Sequence, residues 1–247
     1  MRSALLEKEP RRPTRFVVLR ERQPVIEQFE AQENLRRFSN RSEAGKVLAS
    51  LVRYAAHHNV LVLALPRGGV PVAFEIAQVL HAPLDVFLVR KLGVPGNEEL
   101  AMGAVASGPV RLLQTDVLDA FHISSLKIDE VTEAELRELR RREQLYRGSR
   151  PPRVIEDHSV ILVDDGLATG STMRVAAAAV RRQRPARLIA AVPVAAPEAA
   201  SKLQAEVDEV ICAEIPQAFS SVGSWYGDFS EVTDEEVREF LSKANQN

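Results

Sequence analysis

Cysteine is nearly absent from this chain of 247 residues, and several other features that restrict function are missing as well. The single cysteine, Cys212, lies in an apolar run, where we expect a small buried hydrophobic side chain. One cysteine cannot form an internal disulfide, which fits a reducing cytoplasm. The amino terminus lacks the apolar core of a signal peptide, and no apolar run is long enough to span a bilayer. We therefore expect a cytoplasmic protein without a membrane partner.

Charge and histidine content argue against two further classes of function. The formal net charge is −2, so no global basic field favours nucleic acid as a partner. His57 and His58 are adjacent and the other histidines are isolated, so no spacing typical of a metal site occurs. The apolar content of 45% is ordinary for a globular protein. The length then allows one large domain, or one domain with additions.

The most informative stretch of the chain is residues 160–173. Four branched apolar residues predict a strand buried on both faces, and Asp164 and Asp165 follow at once. A loop of small and hydroxyl residues then leads into an Ala-rich run, residues 175–180, which favours a helix. This order places ligand groups outside the carboxyl end of a parallel strand, where open α/β sheets bind ligands.

The residues of this loop favour a ligand that has both a phosphate and vicinal hydroxyls. Gly170 allows the backbone to approach an anion, and the first N–H groups of the following helix can donate to it. Thr169, Ser171 and Thr172 add hydroxyl donors. The acidic pair would repel a phosphate but accepts hydrogen bonds from hydroxyls, with or without a divalent cation. A sugar 5-phosphate meets these requirements.

Residues 163–172, with the sequence VDDGLATGST, resemble the phosphoribosyl pyrophosphate (PRPP) motif of the type I phosphoribosyltransferases. The resemblance implies that Asp164 and Asp165 bind the ribose hydroxyls and contact Mg²⁺ only indirectly. It also implies a 5-phosphate site made of Ala168, Thr169, Gly170, Ser171 and Thr172. The alternative is an acidic turn between a strand and a helix, with an ordinary cap of small residues.

Two other motifs with acidic or glycine-rich loops do not fit this stretch. A P-loop requires GxxxxGK[ST], but the spacing from Gly166 to Gly170 is one residue short and no lysine follows. The acidic pair of a receiver domain follows the first strand of a small domain. This pair lies two-thirds of the way along the chain instead.

A second loop with exposed backbone, Pro66-Arg67-Gly68-Gly69, follows a buried strand predicted at residues 60–65. Glycines at the end of a strand expose N–H groups to an anion, and Arg67 adds positive charge. The loop resembles the pyrophosphate loop of the same family, which often carries a cis peptide. The resemblance implies that pyrophosphate binds Arg67, Gly68 and Gly69. The alternative is a plain turn between a strand and a helix.

A third loop lies at the end of the next predicted strand, residues 84–89. Arg90 and Lys91 follow that strand, and then comes a stretch with glycine and proline that favours a mobile loop. This order resembles the flexible catalytic loop of adenine phosphoribosyltransferases, which implies a catalytic role for Lys91. Glu99, or its neighbour Glu98, is a candidate general base. The alternative for Arg90 and Lys91 is a solvated strand end.

Four aromatic side chains are concentrated in residues 216–229 of a chain in which only 5% of residues are aromatic. One interpretation is a carboxyl-terminal segment that aromatic residues clamp to the core. The other is a lid that stacks on a base, because the segment resembles the purine site of hypoxanthine phosphoribosyltransferases. The candidates for base binding are then Phe219, Val222, Trp225 and Tyr226. Which aromatic residue stacks stays open, because Phe219 is displaced by one residue from the family pattern.

The predicted fold is an open α/β domain with a largely parallel sheet flanked by helices, as in the type I phosphoribosyltransferases. The domain occupies residues 38–247 and follows a polar amino-terminal extension, residues 1–37. Residues 114–153 are predicted to be a helical insertion, in which a capping box at Thr132 opens a long helix. Residues 214–247 are predicted to form a carboxyl-terminal lid and helix.

The implied activity is that of a glycosyltransferase, which moves the ribose 5-phosphate of PRPP to a nitrogen nucleophile and releases pyrophosphate. Arg67, Lys91 and Mg²⁺ would stabilise the leaving group, and Asp164 and Asp165 the charge on the ribose ring. The expected acceptor is a small molecule. By resemblance it is a nucleobase, preferably a purine, in nucleotide salvage. A homodimer is expected.

Two alternatives of another class remain. The chain could be a regulator that senses PRPP without turnover, in which case residues 1–37 would act on a partner. It could also be a hydrolase-like α/β protein, which is disfavoured because no GxSxG motif occurs. Within the enzyme interpretation, Ala168 stands where hypoxanthine enzymes carry an aspartate, which weakens hypoxanthine as the substrate.

Overall fold

The computed structural model describes residues 15–18, 38–54, 59–108 and 110–246. Its strands and helices follow one another in this order: β1 (Arg15–Val18), α1 (Arg41–Val52), β2 (Val60–Ala64), α2 (Gly69–Leu80), β3 (Leu84–Val86), β4 (Val89–Val94), β5 (Asn97–Ala106), β6 (Val110–Leu113), α3 (Thr115–Ala120), α4 (Ser125–Arg147), β7 (Ser159–Val163), α5 (Ser171–Arg182), β8 (Arg187–Val194), α6 (Pro197–Leu203), β9 (Glu209–Glu214) and α7 (Asp234–Ala244). A short 3₁₀ helix, Gly223–Trp225, precedes α7.

Six parallel strands form the central sheet in the order β1-β9-β8-β7-β2-β3. Helices cover both faces of this sheet, so the interiors of its inner strands are apolar, and polar residues such as Ser159, Arg187 and Glu209 stand at strand ends. In β2, Leu61 and Leu63 contribute to the core on one face, whereas Val62 and Ala64 contribute to the core on the other. The predicted α/β fold with a largely parallel sheet is confirmed.

Each face of the sheet has its own layer of helices. α1, α2, α4 and α7 contribute to the core on the side of Val62. α5 and α6 pack on the opposite side through Met173, Val180 and Leu203. Cys212 is buried in this second core, as its apolar surroundings in the sequence predict. No helix in the described ranges is long and apolar enough to cross a membrane.

A three-stranded antiparallel sheet, β4-β5-β6, includes the region where the sequence predicts one strand followed by a mobile loop. Its β5–β6 pair confirms the hairpin that the apolar residues around Gly108 and Pro109 predict for residues 104–113. The prediction of a single strand over residues 84–89 is wrong, because β3 and β4 belong to different sheets. Arg90 and Lys91 lie inside β4 and pair with β5. Leu92 and Val94 are buried while Lys91 is exposed, which is the alternation of a strand with one covered face.

The predicted insertion, residues 114–153, contains α3 and the 23-residue helix α4. The capping box predicted at Thr132 is wrong, because α4 begins earlier, at Ser125. Ser124 is its N-cap and accepts a hydrogen bond from the backbone N–H of Lys127. Thr132 instead lies within the helix and is 5% exposed. A capping-box pattern does not reveal whether the residues before it are already helical.

Strand β1 lies within the segment that the sequence analysis assigns to a polar extension, residues 1–37. For residues 15–18 the prediction of a tail is wrong, because they pair in parallel with β9. Their backbone completes the hydrogen bonds of a strand that would otherwise be an open edge. The remainder of the extension lies outside the described residues.

The carboxyl-terminal helix α7 is part of the body of the domain. Val237 and Leu241 are 0% and 1% exposed and belong to the core beside α2 and α4. Thr233 caps the helix through a capping box with Glu236. The helix at the end of the predicted lid-and-helix segment, residues 214–247, thus belongs to the core, and the segment between β9 and α7 is the part that could serve as a lid.

A buried ion pair connects α4 to the edge of the central sheet. The Nε atom of Arg147 lies 2.8 Å from Oδ1 of Asp85, and both side chains are less than 10% exposed. Arg147 also donates to the carbonyl oxygen of Val86 at 2.6 Å and pairs with Glu143 at 2.9 Å. Because the pair is buried, removing one partner would leave a charge without compensation.

We expect Arg147→Ala to lower the free energy of unfolding by about 3 kcal/mol, the scale of breaking a buried ion pair. Urea unfolding followed by circular dichroism measures this loss. The matched control is Arg141→Ala, because Arg141 is 62% exposed and pairs with Glu138 on the surface of the same helix. The control should change stability much less, because an exposed ion pair contributes little. Equal losses in the two variants would contradict the role of the buried pair.

Candidate functional site

The loops that follow β2 and β7 are in direct contact, because these strands pair side by side and end at the same edge of the sheet. A Cβ atom on Gly69 would lie 2.7 Å from the carbonyl oxygen of Val163. A Cβ atom on Gly68 would overlap the carboxylate of Asp165. Glycine alone allows the two loops to approach this closely. The peptide between Pro66 and Arg67, at the start of the first loop, is cis.

Asp164 and Asp165 lie at the end of β7, and their side chains have different partners. The carboxylate of Asp164 accepts a hydrogen bond from the backbone N–H of Asp165 at 2.9 Å. The carboxylate of Asp165 accepts one from Nε of Arg41, in α1, at 2.8 Å. The carbonyl oxygen of Asp165 accepts a third from the hydroxyl of Tyr226 at 2.6 Å. The acidic pair is thus held by α1 and by the carboxyl-terminal segment.

Burial raises the pKa of both carboxyl groups above the ordinary range of aspartate. For Asp164, desolvation is the main cause of the raised pKa, and the charge of Asp165 adds to it. For Asp165, desolvation also raises the pKa, while the hydrogen bond and charge of Arg41 oppose the rise. Carboxylates that have lost part of their hydration are suited to accept hydrogen bonds from the vicinal hydroxyls of a ligand.

The segment expected to bind a phosphate forms an open turn at the start of α5. Gly170 adopts a left-handed conformation with φ of +71°, and α5 begins at Ser171. The hydroxyl oxygens of Thr169 and Ser171 lie 3.1 Å apart. The side chains of Ala168, Thr169, Ser171 and Thr172 are exposed. The turn presents hydroxyl groups and the amino end of a 12-residue helix, an arrangement that binds anions.

Arg67 contacts acidic side chains of the carboxyl-terminal segment. Its guanidinium group forms an ion pair with Glu231 and lies 3.7 Å from Oδ1 of Asp234. Asp234 also accepts a hydrogen bond from the hydroxyl of Tyr146 in α4 at 2.7 Å. Carboxylates of the chain itself therefore compensate the charge of the predicted pyrophosphate loop.

Lys91 and Glu99 lie opposite each other on the β4–β5 hairpin. The ammonium group of Lys91 donates to the carbonyl oxygen of Glu99 at 3.2 Å and lies 3.7 Å from its carboxylate. Arg90 pairs with Glu135 of α4 at 2.6 Å, which fixes the base of the hairpin. The structure thus brings the two hairpin candidates together, and these contacts join them to each other rather than to the acidic pair.

Tyr226 differs from its predicted role in base binding. It is 3% exposed, and its ring stacks on Phe229 with centroids 5.0 Å apart and contacts Phe38 at 5.6 Å. The assignment of Tyr226 to a base site is wrong because aromatic neighbours already cover its ring. The residue instead clamps the carboxyl-terminal segment to the core, which is the first of the two interpretations of that segment.

The other three candidates for base binding are half-buried around the acidic loop. The side chain of Val222 lies against Gly166, where a Cβ atom would come within 2.5 Å of it. Phe219 and Trp225 pack in the same small apolar cluster as Val222. The structure therefore places Val222 against the loop that follows β7, and Phe219 and Trp225 in the apolar cluster that includes Val222.

Arg41 is a residue of this site that the sequence analysis does not identify. It occupies the first position of α1, after the N-cap Asn40. A positive charge at the amino end of a helix interacts unfavourably with the helix dipole. An arginine at this position therefore indicates that a carboxylate nearby compensates its charge. That signal could have been used, but it does not reveal that the partner is Asp165, 124 residues away in the chain.

The side chains of the site fit a magnesium ion that binds together with a substrate. No group of three or more His, Cys, Asp or Glu residues in the described part of the chain could hold a metal by itself. Asp165 is already paired with Arg41. Mg²⁺ bound to substrate phosphates usually keeps several of its waters, and the acidic pair offers carboxylate oxygens that would accept hydrogen bonds from such waters.

Residues 38–225 match the family model of the phosphoribosyl transferase domain. The chain belongs to this family. The matched range contains the glycine loop after β2, the β4–β5 hairpin and the acidic loop after β7. Family membership therefore accounts for the presence of all three segments in one chain.

Two proteins from different strains of Mycobacterium tuberculosis, both named "Putative phosphoribosyl transferase", are 40% identical to this chain over 209 residues. The match covers 85% of this chain but 47% of each relative, so the chain spans about half of their length. The crystal structure of TT1426 from Thermus thermophilus is similar, with a TM-score of 0.75 and 42% identity. That match covers 83% of this chain and 98% of the Thermus protein.

The raised pKa of Asp164 predicts a cost in stability at neutral pH. The unfolded chain has an aspartate pKa of about 4. The folded-state pKa of Asp164 is higher, so between the unfolded-state and the folded-state pKa the folded protein binds more protons than the unfolded chain. The free energy of unfolding therefore falls as the pH rises from the unfolded-state pKa to the folded-state pKa. We expect Asp164→Asn to raise the melting temperature at pH 8, with a gain that shrinks as the pH approaches about 4.

The control for this measurement is Asp228→Asn. The backbone N–H of Ser230 donates to Asp228 and lowers the pKa of that exposed carboxyl group, so its removal should give no gain in stability at pH 8. Differential scanning calorimetry over a pH series measures both variants. A melting temperature of Asp164→Asn below that of the parent protein at pH 8 would contradict the raised pKa.

Proposed function

We propose that this protein transfers the ribose 5-phosphate of PRPP to a nitrogen nucleophile and releases pyrophosphate. The single observation that carries the proposal is the close contact of the Gly68-Gly69 loop with the acidic pair. Because of this contact, donors for a pyrophosphate lie next to acceptors for ribose hydroxyls. The amino end of α5, which suits a phosphate, follows the acidic pair within the same loop.

Each part of PRPP has a matching group at this edge of the sheet. Asp164 and Asp165 accept hydrogen bonds from the two ribose hydroxyls. The 5-phosphate binds the turn of residues 168–172. The pyrophosphate binds the N–H group of Gly68 and the guanidinium group of Arg67, whereas the N–H group of Gly69 already donates to the carbonyl oxygen of Leu65 at 3.1 Å. A phosphate at one end and a pyrophosphate at the other explain why two separate loops with exposed N–H groups flank the acidic pair.

The reaction breaks the bond from C1 of the ribose to the pyrophosphate oxygen and forms a bond from C1 to nitrogen. Negative charge develops on the leaving oxygens, where Arg67 and Lys91 would stabilise it. Positive charge develops on the ring beside the acidic pair. Mg²⁺ bound with the pyrophosphate would supply further positive charge to the leaving group. Glu99 is the candidate to accept the proton from nitrogen, and it would approach with the β4–β5 hairpin.

For the acceptor we propose a nucleobase, with a purine favoured. Val222 provides apolar surface against the loop that follows β7, and Phe219 and Trp225 extend its apolar cluster. Aromatic and apolar side chains of this kind stack on the face of a base. A role in nucleotide salvage, a cytoplasmic location and a homodimeric state are further predictions of this proposal.

The second candidate function is a regulator that binds PRPP without turning it over. It is favoured by one observation, the contacts of Lys91 within its own hairpin. A sensor needs the acidic pair and the phosphate turn but no group that stabilises the leaving pyrophosphate. Measured turnover distinguishes the two functions.

We expect the protein to release pyrophosphate from PRPP in the presence of Mg²⁺ and one member of a panel of purine and pyrimidine bases. A coupled phosphate assay measures the release, and calorimetry measures PRPP binding in the same buffer. Binding without pyrophosphate release for any base would favour the sensor. Absence of PRPP binding would refute the proposed function.

In the same assay Lys91→Ala should reduce kcat by roughly a hundredfold, the scale of losing one group that stabilises developing charge. The dissociation constant of PRPP should change much less, because the interaction is made mainly in the transition state. Lys127→Ala is the control, since Lys127 is exposed and pairs with Glu130 at the start of α4. Turnover that survives in Lys91→Ala would remove Lys91 from the catalytic groups.

The ion pair of Arg67 with Glu231 predicts competition with a bound pyrophosphate. Glu231 is 76% exposed, so the ion pair is weak and its loss should matter by less than about 1 kcal/mol. We expect Glu231→Gln to increase the affinity for inorganic pyrophosphate by about two- to fivefold. Glu235→Gln, which removes a carboxylate that pairs with Arg238, should leave that affinity unchanged. If Arg67 does not bind the pyrophosphate, calorimetry at low salt would show the same pyrophosphate affinity for Glu231→Gln and for the parent protein.

A further inference from the structure

Arg41 joins the acidic pair to the carboxyl-terminal segment through three different contacts. Its Nε atom donates to Oδ2 of Asp165 at 2.8 Å, and its Nη1 atom donates to the carbonyl oxygen of Ser230 at 2.7 Å. Its guanidinium carbon lies 3.9 Å from the centre of the Phe229 ring. The side chain is 11% exposed, so these contacts are made in a largely desolvated place.

We propose that Arg41 is a positioning residue, which fixes the carboxylate of Asp165 in the orientation that accepts the ribose hydroxyls. The inference rests on the proposed function, because it gives Arg41 a role in binding the ribose of PRPP. It extends that function to a residue of α1, which lies outside the three loops that carry the candidate binding groups. Arg41 itself would touch no reacting atom and would act through Asp165.

Two neighbours lie against the Asp165 carboxylate. Arg41 donates to Oδ2, and the backbone of Gly68 packs against the same carboxylate. The backbone of Asp165 is held separately by the hydroxyl of Tyr226. Among these contacts, only the hydrogen bond from Arg41 fixes the direction of a carboxylate oxygen, so its loss would allow the carboxylate to rotate about its side-chain bonds. A carboxylate that rotates freely would lose that entropy when the ribose binds, which weakens the affinity.

An arginine suits this position better than a lysine. Its planar guanidinium group can donate from Nε and Nη1 in different directions while one face stacks on an aromatic ring. A lysine ammonium would keep the charge but could not hold Asp165 and the carbonyl of Ser230 with the same geometry. Replacing Arg41 by lysine therefore separates the effect of its charge from the effect of its hydrogen-bond geometry, and so tests the positioning role.

The test compares PRPP dissociation constants in a double-mutant cycle on the full chain. The variants are Arg41→Gln, Asp165→Asn and the combination of both. We expect each single variant to lose at least about tenfold in affinity, the scale of a hydrogen bond to a charged group. The double variant should lose little more than Asp165→Asn alone, because Arg41 acts only through Asp165. Losses that multiply in the double variant would overturn the proposal.

Two further variants separate positioning from folding and from charge. Arg238→Gln removes an exposed arginine paired with Glu235 and should bind PRPP as the parent protein does. Arg41→Lys should fold with a melting temperature close to the parent and still bind PRPP several-fold more weakly. Full affinity in Arg41→Lys, or in Arg41→Gln, would overturn the positioning role while leaving the proposed function intact. Failure of the parent protein itself to bind PRPP would overturn both.

Discussion

The backbone of Gly68 and Gly69 lies directly against the acidic pair, and the candidate site depends on that contact. A single methyl group at either glycine would collide with Asp165 or with the backbone at the end of β7. The contact is possible because β2 and β7 are neighbours in the parallel sheet and end at the same level. A cation-bearing loop and an anion-bearing loop that are far apart in the chain are therefore brought together by the sheet.

Formation of the site lowers the stability of the folded protein, and interactions in the rest of the domain must compensate for this loss. Two carboxyl groups are partly withdrawn from water at its centre, and burial disfavours their charged forms. Arg41 from α1 compensates one of them, and Glu231 compensates the charge of Arg67 from the other side. Such an arrangement exchanges stability for a binding site that is formed before the ligand arrives.

Helix α4 connects several parts of the site that are distant in the sequence. Arg147 holds it to β3 through the buried pair with Asp85. Glu135 fixes the base of the β4–β5 hairpin through Arg90, and Tyr146 reaches Asp234 beside Arg67. The family resemblance supplies no role for residues 114–153. The contacts of α4 indicate that this segment supports both the β4–β5 hairpin and, through Asp234, the surroundings of Arg67.

The sequence by itself determined the inner strands of the central sheet and the loops that follow them, because the interiors of buried parallel strands are apolar and their ends carry glycine and carboxylate. The capping box of Thr233 with Glu236 depends on the local sequence for a similar reason, since both of its partners lie within one turn. The equally good pattern at Thr132 failed, because α4 had already begun at Ser125 and packs against β4 and α7. Only the tertiary structure paired Arg41 with Asp165 and covered the ring of Tyr226. These contacts join residues far apart in the chain, and local pattern contains no information about such distances.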